Sequence, residues 1–393
     1  MRKGWEYKKL GEVCTLISDG SHNPPKGIDH SLYRMISSQN VFDDNLQITE
    51  DNVRYITESD HLCENKRTKL QKDVVLLTIV GTIGRSCVLK GNEGCLTLQR
   101  SVAALHPSDQ IMPRYLMHCL IGNRHTLNQE AHGIAQKGIY LKQLSSLSIP
   151  LPPKSTQLAI VSELDKINEL IRLKKEQLKD FDNLAQSLFY KMFGDPVENE
   201  KGWEVKKLNE IVSDNCSISY GIVQPGDGVE NGVPVVRPVD MTKTFVSRKG
   251  LKNTTKEISD SYKRTILKGN EILMCVRGTT GLISMATPEL QGCNVTRGIA
   301  PIECGPTCDK WFVFYQILNP AIQHHIAEYT RGIALKQINM KDVRDIPLCL
   351  PPLSLQRLFA QRIEQIEREK SEVQKSIQDL ETLLASRMQY WFE

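Results

Sequence analysis

The segment HGIAQKGIYLKQLSSLSIPLPPKSTQ at residues 132–157 recurs at residues 331–356 as RGIALKQINMKDVRDIPLCLPPLSLQ, an offset of 199. Two further pairs of blocks recur in the same order and nearly the same register. They are GWEYKKLGEV at 4–13 with GWEVKKLNEI at 202–211, and VGTIGRSCV at 80–88 with RGTTGLISM at 277–285. A repeat this long is typical of a duplicated domain and too long for a solenoid unit.

The residue pattern of each copy changes after its LPP triplet. Before it, apolar β-branched runs that end in glycine, at 73–81 and 270–278, indicate buried strands. The stretch 232–241 has strand character with two prolines, which predicts an edge or broken strand. The stretches 112–121 and 310–319 predict short buried helices. Each copy therefore begins as a mixed domain rich in strands.

Beyond each LPP triplet, apolar residues fall on alternating steps of four and three, which predicts a long helix with a coiled-coil seam. One lysine interrupts each seam at the matching place, Lys174 in the first copy and Lys370 in the second. The predicted seam residues are Ile160, Leu164, Ile167, Ile171, Leu178, Phe181, Leu188, Phe359, Ile363, Ile366, Val373, Ile377, Leu380 and Leu384.

These patterns predict an α+β fold with two mixed α/β domains and two long antiparallel helices that pair as a coiled coil. The predicted boundaries are 1–153 for the first domain, 154–194 for the first helix, 195–352 for the second domain and 353–393 for the second helix. The alternative is that each helix packs only on its own domain. Exposed apolar seams favour pairing, because an unpaired seam would leave a long apolar stripe in water.

Composition is that of a globular protein, with 40% hydrophobic and 24% charged residues. The net charge of +4 at pH 7 lies in the two mixed domains, since residues 1–150 and 200–349 each carry an excess of three positive charges. Eleven scattered cysteines without a C-x-x-C pair predict reduced thiols. No signal peptide or membrane span is expected, and the predicted location is cytoplasmic.

The tetrad NPPK at 23–26 raises the question of adenine methylation. The loop of adenine methyltransferases places an aromatic residue after Asn-Pro-Pro to stack on a flipped base. Lys26 stands there instead, and no glycine-rich cofactor loop joins a strand to a helix. Phosphate-binding and metal-ligand motifs are also missing, so we expect no catalytic and no metal-binding residues on this chain.

The order of these motifs resembles the specificity subunit of Type I restriction-modification enzymes over essentially the full chain. The resemblance rests on GWExKKLxE at the start of each half, on DGSHNPP, on GTIG and GTTG, and on GIAxK leading to IPLPPxxxQ and a long helix. It implies two target recognition domains, each of which reads half of a bipartite, asymmetric site in double-stranded DNA, with paired helices that set the spacing between the halves.

The resemblance also implies partners. Methylation subunits, expected to be two, would dock on the specificity subunit and supply S-adenosylmethionine chemistry. Restriction subunits, which would use ATP and Mg²⁺, would join through the methylation subunits. No cofactor is expected on this chain. Two alternatives remain open from the residues themselves: a self-sufficient DNA methyltransferase or nuclease, and an adaptor that joins two proteins without contacting DNA.

Candidate DNA contacts are polar and cationic residues of the loops that the resemblance assigns to DNA. In the first copy they are Asp19, Ser21, His22, Asn23, Lys26, Gln39, Asn40, Arg85, Gln99, Arg100, Lys137 and Lys142. In the second copy they are Tyr220, Gln224, Arg237, Asp240, Lys243, Arg248, Lys249, Lys252, Lys256, Arg277, Thr279, Arg297, Arg331, Lys336 and Lys341. Asn and Gln suit adenine, Arg suits guanine, and Lys suits phosphate.

Overall fold

The computed structural model describes residues 4–132, 137–332 and 335–392, so parts of both GIAxK segments lie outside the described residues. The chain divides into two compact units. The first unit comprises Met1–Lys175 with Lys375–Glu393, and the second comprises Glu176–Gln374. The division falls within the two long helices, because each unit contains one mixed domain and a part of both helices.

The described residues of the mixed domain of the first unit form four sheets. Its strands are β1 (Glu6–Lys9), β2 (Cys14–Asp19), β3 (Tyr33–Ile36), β4 (Val41–Phe42), β5 (Asn45–Leu46), β6 (Arg54–Tyr55), β7 (Val75–Thr78), β8 (Ser86–Val88), β9 (Cys95–Leu98), β10 (Val102–Pro107) and β11 (Ser148–Leu151). Among them, an antiparallel sheet has the order β2-β10-β7-β8, a second has the order β6-β3-β9 with β3 and β9 parallel, and β1 pairs with β11. A two-residue hairpin, β4-β5, completes the described strands of this domain.

The helices of this domain are short, and a long one follows them. They are α1 (Leu10–Val13), α2 (Glu58–Thr68), α3 (Pro113–Gly122), α4 (Arg124–Gln129), α5 (Leu141–Ser146) and the long α6 (Lys154–Phe193). Helix α3 is buried along most of its length, as its apolar sequence predicts.

The second domain repeats this topology. Its strands are β12 (Glu204–Lys207), β13 (Val233–Val236), β14 (Lys252–Thr254), β15 (Ile272–Cys275), β16 (Ile283–Met285), β17 (Asn294–Val295), β18 (Ile299–Ile302) and β19 (Pro347–Leu350). Its helices are α7 (Lys256–Ser261), α8 (Lys310–Leu318), α9 (Pro320–Glu328), α10 (Met340–Arg344) and the long α11 (Leu353–Phe392). The sheets β16-β15-β18 and β14-β13-β17 correspond to β8-β7-β10 and β6-β3-β9.

Two of the repeated sequence blocks recur together because they form one strand pair. In the first domain Glu6 lies opposite Leu151, and in the second Glu204 lies opposite Leu350. The GWExKK block thus pairs with the strand that precedes each long helix. This pairing attaches the start of each domain to the point where its helix begins.

One strand prediction was confirmed in part. The segment 232–241 was expected to form an edge or broken strand. The strand is broken, because β13 ends at Val236 and a 3-10 turn follows at Pro238–Asp240, but β13 is the central strand of its sheet. Pro234 lies opposite Asn253 of β14, and pairing with β17 begins only at Val235. The missing N–H of proline therefore costs no hydrogen bond on the β17 side, which is why a proline is tolerated in a central strand.

Helices α6 and α11 are in contact and antiparallel within each unit. In the first unit, Arg387 pairs with Glu163, and Lys175 Nζ lies 2.8 Å from Glu381 Oε1. Residue numbers thus rise along α6 as they fall along α11. In the second unit, the rings of Phe189 and Phe359 lie 5.7 Å apart between centroids. All fourteen predicted seam residues are buried or half-buried. The predicted fold class is confirmed.

Each domain core includes both long helices. In the first unit, Ile160 and Leu164 of α6 belong to the core cluster, and Leu384 and Phe392 of α11 pack against it. In the second unit, Phe189 of α6 and Phe359 of α11 lie in one cluster with Phe312 of α8, and each of the three side chains is at most 2% exposed. Helix pairing and packing on the domain therefore occur together rather than as alternatives.

Candidate nucleic-acid interface

The loop after β2 lies against the turn between β9 and β10. The backbone N–H of Ser21 donates to the carbonyl of Leu98 at 2.8 Å, and that of Arg100 donates to the carbonyl of Ser21 at 2.9 Å. Gly20 allows this approach, because a Cβ at that position would lie 2.1 Å from the Leu98 carbonyl oxygen. The sequence DGS thus places two predicted site segments side by side.

The GTIG turn lies beside the turn between β9 and β10, since the N–H of Ile79 donates to the carbonyl of Ser101 at 2.9 Å. Gly81 and Gly84 both have positive φ, near 82° and 90°, a conformation that favours glycine. The N–H of Gly81 donates to the carbonyl of Lys137 at 3.3 Å, and the carbonyl of Gly84 accepts from Arg124 Nε at 3.1 Å. Residues 19–23, 80–85, 99–101 and 137–138 together are called surface one.

The second domain assembles the matching segments with the same hydrogen bonds. Ile222 N–H donates to the Val295 carbonyl at 2.8 Å, and Arg297 N–H donates to the Ile222 carbonyl at 2.7 Å. A Cβ at Gly221 would lie 2.1 Å from the Val295 carbonyl oxygen, as at Gly20. Residues 220–224, 277–281, 296–298 and 335–337 together are called surface two.

The GTTG turn of surface two is held as its counterpart is. Gly278 N–H donates to the Lys336 carbonyl at 2.8 Å, and Gln323 Nε2 donates to the Gly281 carbonyl at 3.0 Å. Gln323 thus performs on α9 the task that Arg124 performs on α4. Neither residue was identified from the sequence, since both lie outside the repeated motifs.

Arg100 and Arg297 occupy equivalent turns on the two surfaces, and both side chains are exposed. Exposed predicted residues also include His22, Asn23, Lys26, Gln39, Lys137 and Lys142 in the first domain. In the second domain they include Tyr220, Gln224, Lys243, Arg248, Lys249, Lys252, Lys256, Thr279, Arg331, Lys336 and Lys341. Half-buried ones are Arg85, Gln99, Arg237, Asp240 and Arg277.

Three predicted contacts in the first domain are buried instead. Asp19 is 6% exposed and pairs with Arg67 and with His22 Nε2. Ser21 Oγ donates to Glu64 Oε1 at 3.0 Å. Asn40 is fully buried, its amide donating to Gln47 and Asn52 while its oxygen accepts from the N–H of Ser37. We therefore assign these three side chains structural roles in place of base contacts.

Arg237 and Asp240 are joined to each other. The Arg237 guanidinium donates to both carboxylate oxygens of Asp240, at 3.0 and 2.8 Å, and this hydrogen bonding raises the pKa of Arg237. Asp240 also accepts from the Arg237 N–H at 2.9 Å, as Asn40 accepts from Ser37. Asn40 and Asp240 are thus equivalent turn residues, and Arg237 is engaged within its own turn.

The five predicted cationic residues between positions 243 and 256 lie outside surface two. Arg248 Nη1 donates to the Glu289 carbonyl at 2.7 Å, and Lys252 stands on β14. Lys243, Lys249 and Lys256 are exposed in the segments around that strand. This basic stretch is therefore separate in sequence and element from the four loops, and its contact with DNA stays a prediction.

Among the residues that the structure describes, no group of three or more His, Cys, Asp or Glu side chains has the arrangement of a metal site. All eleven cysteines are free thiols. None of the described helices combines the length and apolar character that a membrane span requires.

The family model of the Type I restriction modification DNA specificity domain matches residues 2–180 and, a second time, residues 200–382. The chain therefore belongs to this family and carries its domain twice, which confirms the resemblance seen in the motifs. The two matches include surface one and surface two respectively.

Among its relatives is the Type I restriction enzyme EcoBI specificity subunit of Escherichia coli, 24% identical over 310 residues. That match covers 73% of this chain and 65% of the relative, slightly less than two thirds of its length. The putative Type I restriction enzyme MjaX specificity subunit of Methanocaldococcus jannaschii is 23% identical over 412 aligned positions, which cover 97% of this chain and 92% of the relative.

A solved structure has the same fold. The crystal structure of the Type I restriction-modification system S subunit from M. genitalium matches with a TM-score of 0.55 and 14% identity, covering 99% of this chain and 96% of that one. At this identity the likeness concerns the fold alone, and it agrees with the duplicated mixed domains and long helices described above.

Proposed function

We propose that this chain is the DNA specificity subunit of a Type I restriction-modification complex, in which surface one reads one half of a bipartite site and surface two reads the other. The observation that carries the proposal is the recurrence of the same four-segment surface on both domains. Its framework of backbone hydrogen bonds is repeated, whereas the loop sequences differ, DGSHN at 19–23 against YGIVQ at 220–224, and the exposed pair His22-Asn23 is replaced by Val223-Gln224. A common framework with different side chains suits two different half-sites.

The exposed cations of the two surfaces support contact with a polyanion. Arg100 and Arg297 stand on equivalent turns, and Lys137 and Lys336 lie beside the two glycine turns. Phosphate contacts from lysine and arginine position a protein on the duplex, and base-edge contacts provide sequence selectivity. We infer that the lysines anchor the backbone and that the two arginines are candidates for base contacts.

We propose that catalysis resides on other chains. Methylation subunits, two in number, would bind S-adenosylmethionine, and restriction subunits would use ATP and Mg²⁺. The absence of an aromatic residue after the Asn-Pro-Pro triplet supports this, because Lys26 cannot stack on a flipped base as an aromatic ring does. These partners act on chromosomal DNA, which would place the complex in the cytoplasm.

Apolar residues on the long helices support docking of such subunits. In the first unit Leu170 and Leu173 of α6 are 47% and 46% exposed, and Leu383 of α11 is 45% exposed. In the second unit Leu184 of α6 is 52% exposed. Repeated exposed leucines on rigid helices are typical of a protein interface.

Mapping methylated bases in the genome of the host tests the proposal. The expected result is one split, asymmetric motif that disappears when the gene is deleted and returns with the intact gene. Exchanging residues 19–23 for another loop sequence should alter one half of the motif only. A motif that survives deletion, or that is continuous and short, would contradict the assignment.

The two competing functions have their own tests. A self-sufficient methyltransferase predicts that labelled S-adenosylmethionine crosslinks to the isolated chain, and we expect no crosslink. A protein adaptor predicts no DNA binding, and we expect a gel shift with duplex DNA at low salt that weakens as salt rises. A crosslink in the first test, or no shift in the second, would favour the corresponding alternative.

A further inference from the structure

A pocket of about 460 Å³ lies beside surface two. It is lined by Ser219 and Tyr220, which precede Gly221 of that surface, and by residues 260–265. Residues 260–265 comprise the end of α7 and the single 3-10 turn Lys263–Thr265. None of the residues from 260 to 265 was identified as a DNA contact from the sequence.

At the corresponding place in the first domain, side chains of α2 contact the end of β2 and the loop after it. Both α2 and α7 begin after a capping threonine, Thr57 or Thr255. Helix α2 then runs for 11 residues, whereas α7 ends after six. The extra length of α2 brings Arg67 to Asp19 and Glu64 to Ser21. In the second domain the matching run Lys263-Arg264-Thr265 forms a 3-10 turn after α7. Tyr220 stands there in place of Asp19, so Arg264 lacks the carboxylate with which Arg67 pairs.

The groups that line the pocket suit an anion. Lys263 and Arg264 are exposed, and neither forms an ion pair with the residues that the structure describes. Asp260 is the one carboxylate of the described lining, so the lining carries a net charge of +1. A phosphodiester carries a single negative charge, which this lining would balance.

Hydrogen-bond donors complete the lining. The Oγ of Ser219 is buried and has no hydrogen-bond partner among the described residues. A buried hydroxyl without a partner costs free energy that a bound acceptor would recover. Tyr220 is 44% exposed at the mouth of the pocket. The unsatisfied hydroxyl is an observation independent of the two cations, and it points to an acceptor-rich ligand.

We propose that this pocket binds a phosphate group, held by Lys263 and Arg264 with Ser219 and Tyr220 as hydrogen-bond donors, and that the group is a backbone phosphate of the DNA half-site at surface two. This inference rests on the proposed function and adds to it an anchoring contact that the first domain lacks. Register on the second half-site is set in part by this contact, since phosphate contacts fix orientation on a duplex.

The test uses the full chain and a duplex that contains the motif mapped in the host genome. The double variant Lys263→Ala with Arg264→Ala should bind this duplex more weakly, and its logarithmic salt slope should fall by about 1, since each neutralised phosphate contributes about 0.9. Ser219→Ala should weaken binding without changing the slope. The control Lys166→Ala with Lys179→Ala removes the same charge from exposed positions of α6 and should leave the slope unchanged.

A second measurement identifies the phosphate. In a series of duplexes, each carries one neutral methylphosphonate linkage at a different position. At one position in the second half-site this linkage should lower the affinity of wild type, but it should not lower the affinity of the double variant any further. Equal losses for both proteins at every position would overturn the proposal. Failure of wild type to prefer the mapped duplex over random DNA would instead refute the proposed function.

A free anion is the other source of the same chemistry. Inorganic phosphate at millimolar concentration would then raise the melting temperature of wild type and not of the double variant, with no position detected in the methylphosphonate series. That outcome would overturn the assignment to DNA. Equal melting temperatures of wild type and the double variant without phosphate establish that a loss of binding is not a loss of folding.

Discussion

Lys370 Nζ on α11 lies 2.8 Å from Asp182 Oδ1 on α6 and 2.7 Å from Glu367 Oε1 on its own helix. The Lys370 and Glu367 side chains are only 16% and 9% exposed. Burial opposes the charge of Lys370, but its hydrogen bonds with Asp182 and Glu367 outweigh burial and raise its pKa. The lysine that interrupts the apolar seam is thus a paired charge within the second unit.

Replacement of Lys370 should destabilise the protein. Lys370→Ala leaves Glu367 buried without its partner, which costs about 1–3 kcal/mol of unfolding free energy. Asp182→Asn should cost less, because the Asp182 side chain is 59% exposed. Urea unfolding at pH 7 measures both. Since the folded pKa is raised, the contribution is complete below the unfolded value of 10.5 and is lost as pH rises through the folded value. Equal stability of Lys370→Ala and wild type would contradict the role assigned here.

Glu163 should contribute to the acid limit of stability. Its carboxylate accepts from Arg387 and, at 3.0 Å, from Trp391 Nε1, and the Arg387 hydrogen bond is the main cause of its lowered pKa. Because the pKa of Glu163 is lowered in the folded state, its ionised carboxylate stabilises the fold fully above the unfolded value of 4.5. This stabilisation is lost as pH falls through the folded value. Glu163→Gln should therefore flatten the acid side of a melting-temperature profile. Glu169→Gln is the comparison: the Arg172 hydrogen bond also lowers the pKa of Glu169, but both side chains are more than half exposed, so a smaller change is expected. A profile unchanged by Glu163→Gln would refute the assignment.

Gly221→Ala should disturb surface two. The Cβ of the alanine would lie 2.1 Å from the Val295 carbonyl oxygen, so the backbone must move to relieve this clash. Overpacking of this kind costs about 1–3 kcal/mol, and we expect weaker DNA binding at the second half-site. Gly228→Ala is the matched control in the same domain, since its nearest neighbour would be 3.9 Å away. Thermal melting and gel shifts of both variants measure the effect; equal losses would argue against the close approach.

A change in helix length should change the preferred spacer of the DNA site. Four residues inserted after Leu173 in α6, with four after Glu381 in α11, add about 6 Å to the pair. The double insertion keeps Lys175 opposite Glu381, whereas the insertion in α6 alone separates the two residues. Half-site centres are expected about 10 base pairs apart, and the matched insertion should lengthen the preferred spacer by about two base pairs at about 3.4 Å per step. An unaltered spacer in methylation mapping would refute the spacing role of the helices.

Arginine and lysine variants should separate base contacts from phosphate contacts. Arg297→Ala should relax one position of the second half-site and cost about 1–3 kcal/mol of binding free energy, whereas Lys249→Ala should weaken all sequences alike. Arg237→Ala should lower stability and not specificity, because its guanidinium is engaged by Asp240. Binding to a panel of duplexes with single substitutions distinguishes the three. If Arg237→Ala instead loses base selectivity at one position of the half-site, Arg237 contacts DNA as the sequence predicted.

Much of the fold follows from the sequence because its determinants are local and periodic. The seam positions, from Ile160 on α6 to Leu384 on α11, follow from steps of three and four residues within each helix. Their burial can therefore be predicted without reference to distant segments. The glycines of GTIG and GTTG likewise specify their own turns, since positive φ is a property of the residue. Duplication then supplied a second, independent copy of each pattern.

Residue roles at the interface depended on contacts between distant segments. Asp19 and Asn40 stand in segments with the composition of DNA contacts, yet Arg67 engages the first and Asn52 the second. Arg237 is the exception, because Asp240, which engages it, lies three residues further along the same turn. The pocket beside Tyr220 is lined by the 3-10 turn that follows α7, and its proximity to Tyr220 is set by packing between segments about 40 residues apart. The run Tyr262-Lys263-Arg264 was a signal that composition offered, but only the fold places it next to surface two.

The sequence by itself determined the duplication, the two long helices and their apolar seams, because periodicity and order are carried by neighbouring residues. Tertiary structure alone decided that Asp19 and Asn40 are buried in contacts with Arg67 and Asn52 and do not face solvent. The physical reason is that a hydrogen bond or ion pair depends on distance in space, and chain separation does not specify that distance.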